Sequence, residues 1–259
     1  MPTAGAAVSA SRTLIAAHRG FIEGTSLIED TIPAYERAIA HGADLLETDV
    51  HATRDHVLVL NHDADVHGVP IASTDFADLP RHADGSRVNT LVEFAHLGAA
   101  SGVRLLVEQK VPGFERQMLD TLNRIVPSGN YDTFSFSGQA VANVHQIGPA
   151  VSNGELFHAQ NLAIGLTPDA GTIIAAAKLH GASFVGLETT LASPATTRSI
   201  SEAGLRNYVW TADSSHDIRR LLEDPNVHVI ITNQLDRATA ERAAMSVPGA
   251  VSGSVASAG

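Results

Sequence analysis

PDAGTIIAAAKLHGASFVGLETTLASPATTRSISEAGLRNYVW, residues 168–210, contains the same two-part pattern twice. Residues 168–180 read as a helix and 184–187 as a short apolar strand; 194–203 and 206–210 repeat the pair. Short β-branched or apolar runs that alternate with helical patterns argue for parallel strands with helices outside them. The reason is topological: a parallel neighbour is reached only through a long crossover, whereas an antiparallel one needs only a tight turn.

The pattern extends in both directions. Towards the N-terminus, 14–18 read as a strand, and 31–41 as an amphipathic helix opened by Asp30 as N-cap with Pro33 in its first turn. Extended runs follow at 44–50, 57–60, 103–108, 133–136 and 151–156, with a last one at 227–231. Helical stretches lie at 91–101, 113–125, 139–147 and 215–223. The extended runs number nine, one more than an eight-stranded barrel needs. The connection Thr53-Arg54-Asp55-His56 is short and polar, which makes residues 44–62 a hairpin-like excursion and one of its strands extra. The expected fold is a single-domain α/β protein, a (β/α)8 TIM barrel over residues 13–245. An open doubly wound sheet is the competing architecture, disfavoured by the number of units and the location of the polar residues. Residues 1–12 and 246–259 are rich in Ala, Ser, Gly and Val and are expected to be flexible tails.

Composition narrows the function. The 259 residues are 44 % hydrophobic and 17 % charged, so the body has the means to bury a large core. The net charge of −11 disfavours a nucleic-acid partner, because an acidic surface repels phosphates. A phosphate substrate remains compatible, since a bound divalent cation reverses the local field. With no cysteine, thiol nucleophiles, disulfides and zinc–thiolate sites are excluded. No apolar run is long enough to span a bilayer, and residues 1–12 have no apolar segment of the signal-peptide kind. The expectation is no integral membrane association and a cytoplasmic location, with secretion open if a signal peptide has been removed.

In a barrel of this type catalytic groups sit at the C-terminal ends of strands. The expected strands end in His18-Arg19-Gly20, His62-Asp63, Glu108-Gln109-Lys110 and Trp210-Thr211, and one of them contains Glu47 and Asp49. Residues i and i+2 of a strand share a face, so Glu47 converges with Asp49, and Glu108 with Lys110. Two carboxylates on one buried face repel each other unless a cation is present. Glu47, Asp49 and Glu108 together offer an all-oxygen set for a hard divalent cation, Mg2+ or Ca2+. The alternative places Glu47 and Asp49 on an edge strand facing solvent. His18 and His62 suit a general acid/base pair near neutral pH, although most of the 13 histidines must be structural or exposed. If its strand continues, His51 shares the inner face with Asp49. Lys110 reads equally as a phosphate contact or as a structural partner of a carboxylate.

These pieces form an ordered series: His18-Arg19-Gly20, Glu29-Asp30-Thr31, GADLLETDV at 42–50, Thr53-Arg54-Asp55, His62-Asp63 and Val107-Glu108-Gln109-Lys110. The series resembles the glycerophosphodiester phosphodiesterase family, and Val209-Trp210-Thr211-Ala212-Asp213 and Ile230-Ile231-Thr232-Asn233 look like its closing motifs. The resemblance runs from about residue 14 to 237. It implies a (β/α)8 barrel that hydrolyses small-molecule glycerophosphodiesters to glycerol 3-phosphate and an alcohol. Matched residue by residue, it makes Glu47, Asp49 and Glu108 the ligands of one divalent cation and His18 and His62 the acid/base pair. Arg19 and Lys110 would contact the phosphate, Glu29 would lie close to the metal, and Trp210 would line the substrate pocket. The chain departs from the family pattern in three places. Ile28-Glu29-Asp30-Thr31 stands for Pro-Glu-Asn-Thr, after a slightly long loop in which Glu23 rivals Glu29; Asp55-His56 stands for an Asp-Gly turn; and Asp213 stands for an Asn. Two other readings remain: a head-group phosphodiesterase acting on lysophospholipids or sphingolipids, and a non-catalytic ligand-binding barrel.

Overall fold

The computed structural model describes residues 13–160 and 167–245; the tails expected at 1–12 and 246–259 lie outside the described residues. In chain order the elements are β1 (Leu14–Ala17), α1 (Ile32–Ala40), β2 (Leu45–Ala52), β3 (Leu58–Leu60), β4 (Asp65–Val66) and β5 (Val69–Pro70). Next come α2 (Leu91–Ser101), β6 (Arg104–Gln109), α3 (Glu115–Ile125), β7 (Tyr131–Ser135), α4 (Gly138–Ile147) and β8 (Asn153–Phe157). The chain then forms α5 (Ala170–Leu179), β9 (Phe184–Glu188), α6 (Pro194–Glu202), β10 (Arg206–Trp210), α7 (Ser215–Glu223), β11 (Val227–Thr232) and α8 (Leu235–Met245).

Strands β1, β2 and β6 to β11 are parallel and pair in sequence, and β1 pairs with both β2 and β11, so the sheet closes on itself. With a helix after each barrel strand, this is the (β/α)8 barrel that the alternation predicts. The excursion is also where the sequence places it. The last residues of β2, Val50 to Ala52, pair antiparallel with β3, and the loop beyond adds the β4–β5 hairpin over a small core of Val59, Val66, Ile71 and Val88.

Two apolar layers hold the barrel together. Every barrel strand contributes to the inner one: Ala16, Leu45, Leu106, Phe134, Leu156, Phe184, Tyr208, Val229 and Ile231. The outer layer lies between strands and helices and includes Ile15, Leu46, Val107, Val185, Val209 and Ile230 against residues such as Tyr35, Phe94 and Ile218. Because both faces of each strand are covered, β2, β6, β9 and β11 carry short apolar runs, while β7, β8 and β10 bury Asp132, Asn153 and Asn207 among theirs. Gly154 shows how tightly the inner layer packs. A Cβ at this position would sit 2.2 Å from the Phe184 ring, which stacks on Tyr208 at 4.1 Å.

The helix starts follow ordinary capping chemistry. Thr90 and Glu93 form a reciprocal capping box on α2, and Ser137, Asp169, Ser193 and Ser214 cap α4, α5, α6 and α7. Helix α1 corrects the expectation for Asp30. Its N-cap is Thr31, without a side-chain cap bond, while Asp30 is buried and turned inwards. Helix α8 is an element that the sequence reading leaves unassigned. Its buried face is only Leu235, Ala238 and Arg242, too weak an apolar stripe to announce a helix. Arg242 donates to the Thr13 carbonyl and pairs with Asp44, whose carboxylate also accepts from Ile15 N–H. No helix among the described residues is long and apolar enough to cross a membrane.

Candidate active site

The C-terminal ends of β1, β2 and β6 bring the predicted charged residues together. Glu47, Asp49 and Glu108 are all buried, and each offers an oxygen within 4.8 Å of the others. The register explains the convergence: Asp49 lies beside Glu108 across the β2–β6 ladder, and Glu47 is two residues back on the same face. The alternative of an exposed edge strand does not hold, because β2 is flanked by β1 and β6.

Two cations border the carboxylates. Lys110 Nζ is 2.8 Å from Glu108 Oε1 and 3.1 Å from Asp49 Oδ1, and Arg19 Nε is 2.8 Å from Asp49 Oδ2. Arg19 reaches this position through a left-handed backbone (φ 53°) that also points its N–H at Glu47 Oε2, 3.0 Å away. The next residue must be glycine: Gly20 has φ 91°, and a Cβ there would lie 2.7 Å from that of Ala34.

Charge balance favours an additional cation. Burial, and then the neighbouring Asp49, Asp30 and Glu108, push Glu47 well above the usual carboxylate range. Burial and Asp49 raise Glu108 to about 7 against the opposing pull of Lys110. Burial also pulls Asp49 upwards, but Lys110, Arg19 and His62 outweigh it and leave that group below its ordinary value. Glu108 Oε1 and Asp49 Oδ2 are buried in ion pairs without an aligned hydrogen bond. Three converging oxygen donors with more negative charge than their partners neutralise fit a hard divalent cation. Among the described residues this is the one such group.

His18 and His62 line the cavity above these carboxylates, together with Arg19, Glu47, Glu108 and Lys110. His18 Nδ1 lies 2.9 Å from Asn233 Oδ1, and its Nε2 is 4.0 Å from Glu47. Burial, then the charge of Arg19, lowers the His18 pKa. His62 is more exposed, with Nδ1 2.8 Å from Asp63 Oδ1. Strand β2 does continue through His51, but this ring faces the His62 carbonyl at 3.4 Å and does not join the carboxylates. Glu29 and Glu23 are exposed; Glu29 contacts Arg19 at 3.3 Å, and neither belongs to the three-carboxylate group. Trp210 lines the cavity opposite the charged residues, in a wall with Phe134, Phe136, Leu156 and His158. The sequence reading missed Phe136, His158 and Asn233 as site residues. The first two were legible as the i+2 neighbours of inward-facing Phe134 and Leu156.

The family model for the glycerophosphoryl diester phosphodiesterase family matches residues 18–237, which includes every residue of this constellation. The chain belongs to that family. It is therefore a phosphoric diester hydrolase by class. A glycerophosphodiester phosphodiesterase of Caldanaerobacter subterraneus subsp. tengcongensis is 25 % identical over 249 residues, covering 86 % of this chain and 94 % of the relative. Identity to one from Arabidopsis thaliana is 43 % but over only 77 residues, 30 % of this chain and 19 % of that protein. Among solved structures, a glycerophosphodiester phosphodiesterase of Parabacteroides distasonis superposes with a TM-score of 0.78 at 21 % identity, covering 92 % of this chain and 99 % of the other. An Oleispira antarctica phosphodiesterase, solved in complex with sn-glycerol-3-phosphate, gives 0.75 at 17 % identity over 89 % and 96 % of the two chains.

Asp30 stands where the sequence resemblance implies an Asn, and its surroundings are those of a neutral group. Its Oδ1 accepts from Tyr35 Oη (2.7 Å), Thr48 Oγ1 (3.0 Å) and Asp49 N–H (3.4 Å), while Oδ2 is buried without a partner among the described residues. Burial, then the Asp49 charge, raises its pKa from 3.8 to about 8. A carboxyl whose folded pKa is raised loses its contribution to stability as pH climbs from the unfolded value towards the folded one. Asp30→Asn keeps all three acceptor contacts and removes that loss. In cation-free protein the variant is expected to match wild type near pH 4 and to exceed it by about 1–3 kcal/mol at pH 8. Urea unfolding at both pH values measures this, and a variant less stable at pH 8 would show that Asp30 is held ionised.

Proposed function

We propose that the chain hydrolyses glycerophosphodiesters to glycerol 3-phosphate and an alcohol, using one divalent cation and two histidines. The observation that carries this reading is the gathering of Glu47, Asp49 and Glu108 at the floor of a cavity that Glu47, Glu108, His18 and His62 line. The three carboxylates would hold the cation, Mg2+ or Ca2+. When bound, it supplies a Lewis acid that draws charge from phosphate oxygens and acidifies a hydroxyl.

The residues divide the proton chemistry between them. Asp213 accepts from the Asn233 backbone N–H and from its Nδ2, both at 2.8 Å, which turns the Asn233 side-chain Oδ1 towards His18. That oxygen accepts from His18 Nδ1–H at 2.9 Å, so the ring keeps its lone pair on Nε2. His18, held neutral by burial, is the base that takes a proton from the attacking oxygen. Asp63 accepts from Nδ1 of His62, leaving Nε2 of that ring to deliver a proton to the departing alkoxide. A P–O bond to the attacking oxygen forms as the P–O bond to the alcohol breaks. Arg19 and Lys110 keep donors beyond their carboxylate pairs and would stabilise the non-bridging oxygens.

Product analysis by mass spectrometry, with glycerophosphocholine and lysophosphatidylcholine offered separately, tests the reading. The expected products are glycerol 3-phosphate and choline from the first, formed with Mg2+ or Ca2+ and not after chelation. Preferred cleavage of the lysolipid, or full activity in chelator, overturns it.

A further inference from the structure

The mouth of the barrel has two chemically different halves. Strands β1, β2 and β6 carry the histidine, the carboxylates, the arginine and the lysine. The next four strands instead present Phe136, His158, Glu188 and Trp210 at or just past their C-terminal ends, each two residues beyond an inward position occupied by Phe134, Leu156, Gly186 or Tyr208. The rings form a corner. Phe136 and His158 stack nearly parallel (7°, 4.2 Å between centroids), and Trp210 stands close to perpendicular to both, 5.4 and 5.1 Å away. Phe136 is 37 % exposed although large and apolar, and buried Trp210 Nε1 has no acceptor among the described residues.

Glu188 adds a negative charge beside the corner. It lies next to Trp210 across the β9–β10 ladder and lines a cleft that shares His158 with the catalytic cavity. Ala159 N–H fixes its Oε2 at 2.7 Å, and His158 Nδ1 is 4.0 Å from the same oxygen. Among the described residues no lysine or arginine pairs with Glu188. A corner of aromatic faces next to a carboxylate without a strong cationic partner attracts a positive charge that carries no hydrogen-bond donors.

We propose that this half of the mouth is the alcohol subsite and selects diesters whose alcohol carries a quaternary ammonium group. Resting on the phosphodiesterase reading above, the assignment gives each substituent of the phosphate a side. The diol of the glycerol offers oxygens to the carboxylate half, where a cation would take them. The ammonium alcohol lies over Phe136 and Trp210, with Glu188 balancing its charge.

The test compares kcat/KM for glycerophosphocholine with that for glycerophosphoglycerol, whose alcohol is neutral, in the wild type and in two variants. Wild type is expected to prefer the choline diester about tenfold. Glu188→Gln, which keeps an acceptor for Ala159 N–H, and Phe136→Leu, which keeps an apolar side chain at a partly exposed site, should each lower this ratio about fivefold, chiefly through KM. Melting temperatures check that each variant is folded, and Phe136→Leu carries the test if Glu188→Gln is not. Equal rates on the two diesters, or variants that depress both rates by the same factor, overturn the subsite while leaving the phosphodiesterase reading intact. A wild type that cleaves neither diester overturns both.

Discussion

His62→Ala is expected to lower kcat for glycerophosphocholine by about 10²–10⁴-fold with little change in melting temperature. The size of the effect follows from the leaving group. A simple alcohol departs as a strongly basic alkoxide, so the barrier falls steeply when a positioned acid supplies its proton. The structure allows the side chain to be removed cleanly. His62 is substantially exposed, and its loop is held by other groups: Asn61 Nδ2 donates to the Asp63 and Asp65 carbonyls at 2.8 and 3.0 Å, and His51 meets the His62 carbonyl. A structural role and an acid role separate on a diester with a nitrophenolate leaving group, which needs no proton. There the variant should recover most of the wild-type rate. Equal losses on both substrates would remove His62 from the role of acid.

Glu47→Gln is expected to have opposite effects with and without the cation. In cation-free protein, burial and three neighbouring carboxylates hold Glu47 above its ordinary value of 4.5. The folded state therefore binds that proton more tightly than the unfolded state, and stability falls as pH rises above 4.5. Gln carries no charge and can still accept from Arg19 N–H, so the variant should melt higher than wild type in chelator at pH 7. Adding Mg2+ or Ca2+ reverses the order. Wild type gains stability with the logarithm of cation concentration above its dissociation constant, and the variant gains little. Activity should drop by more than about 100-fold, beyond the loss typical of deleting a group that merely supports a ligand. Unchanged cation-induced stabilisation in Glu47→Gln would take Glu47 out of the site.

Much of this architecture was legible because the relevant signals are local. A strand covered on both faces is rich in apolar residues, so the runs within β6, β9, β10 and β11 stand out in the sequence. The carboxylate site was legible because spacing of two on one strand is already a statement about a shared face. What escaped depends on distant partners. Asp30 has the residue type and position of an N-cap, but Tyr35 and Thr48 draw it inwards, which no local rule registers. Helix α8 buries an arginine where a sequence pattern expects an apolar residue. Asn233 meets His18 only once the barrel has closed and joined β11 to β1.

That closure has a further consequence, because the seam joins the two ends of the fold. Strand β1 pairs with β11, and the side-chain oxygen of Asn233, 215 positions away, accepts the hydrogen bond that orients His18. An incomplete chain emerging from the ribosome, or a fragment clipped before β11, can contain every acidic residue of the site and still have no oriented base. With His18 as the proposed base, hydrolytic competence would be tied to completion of the whole barrel, and partial products of synthesis or proteolysis would be silent.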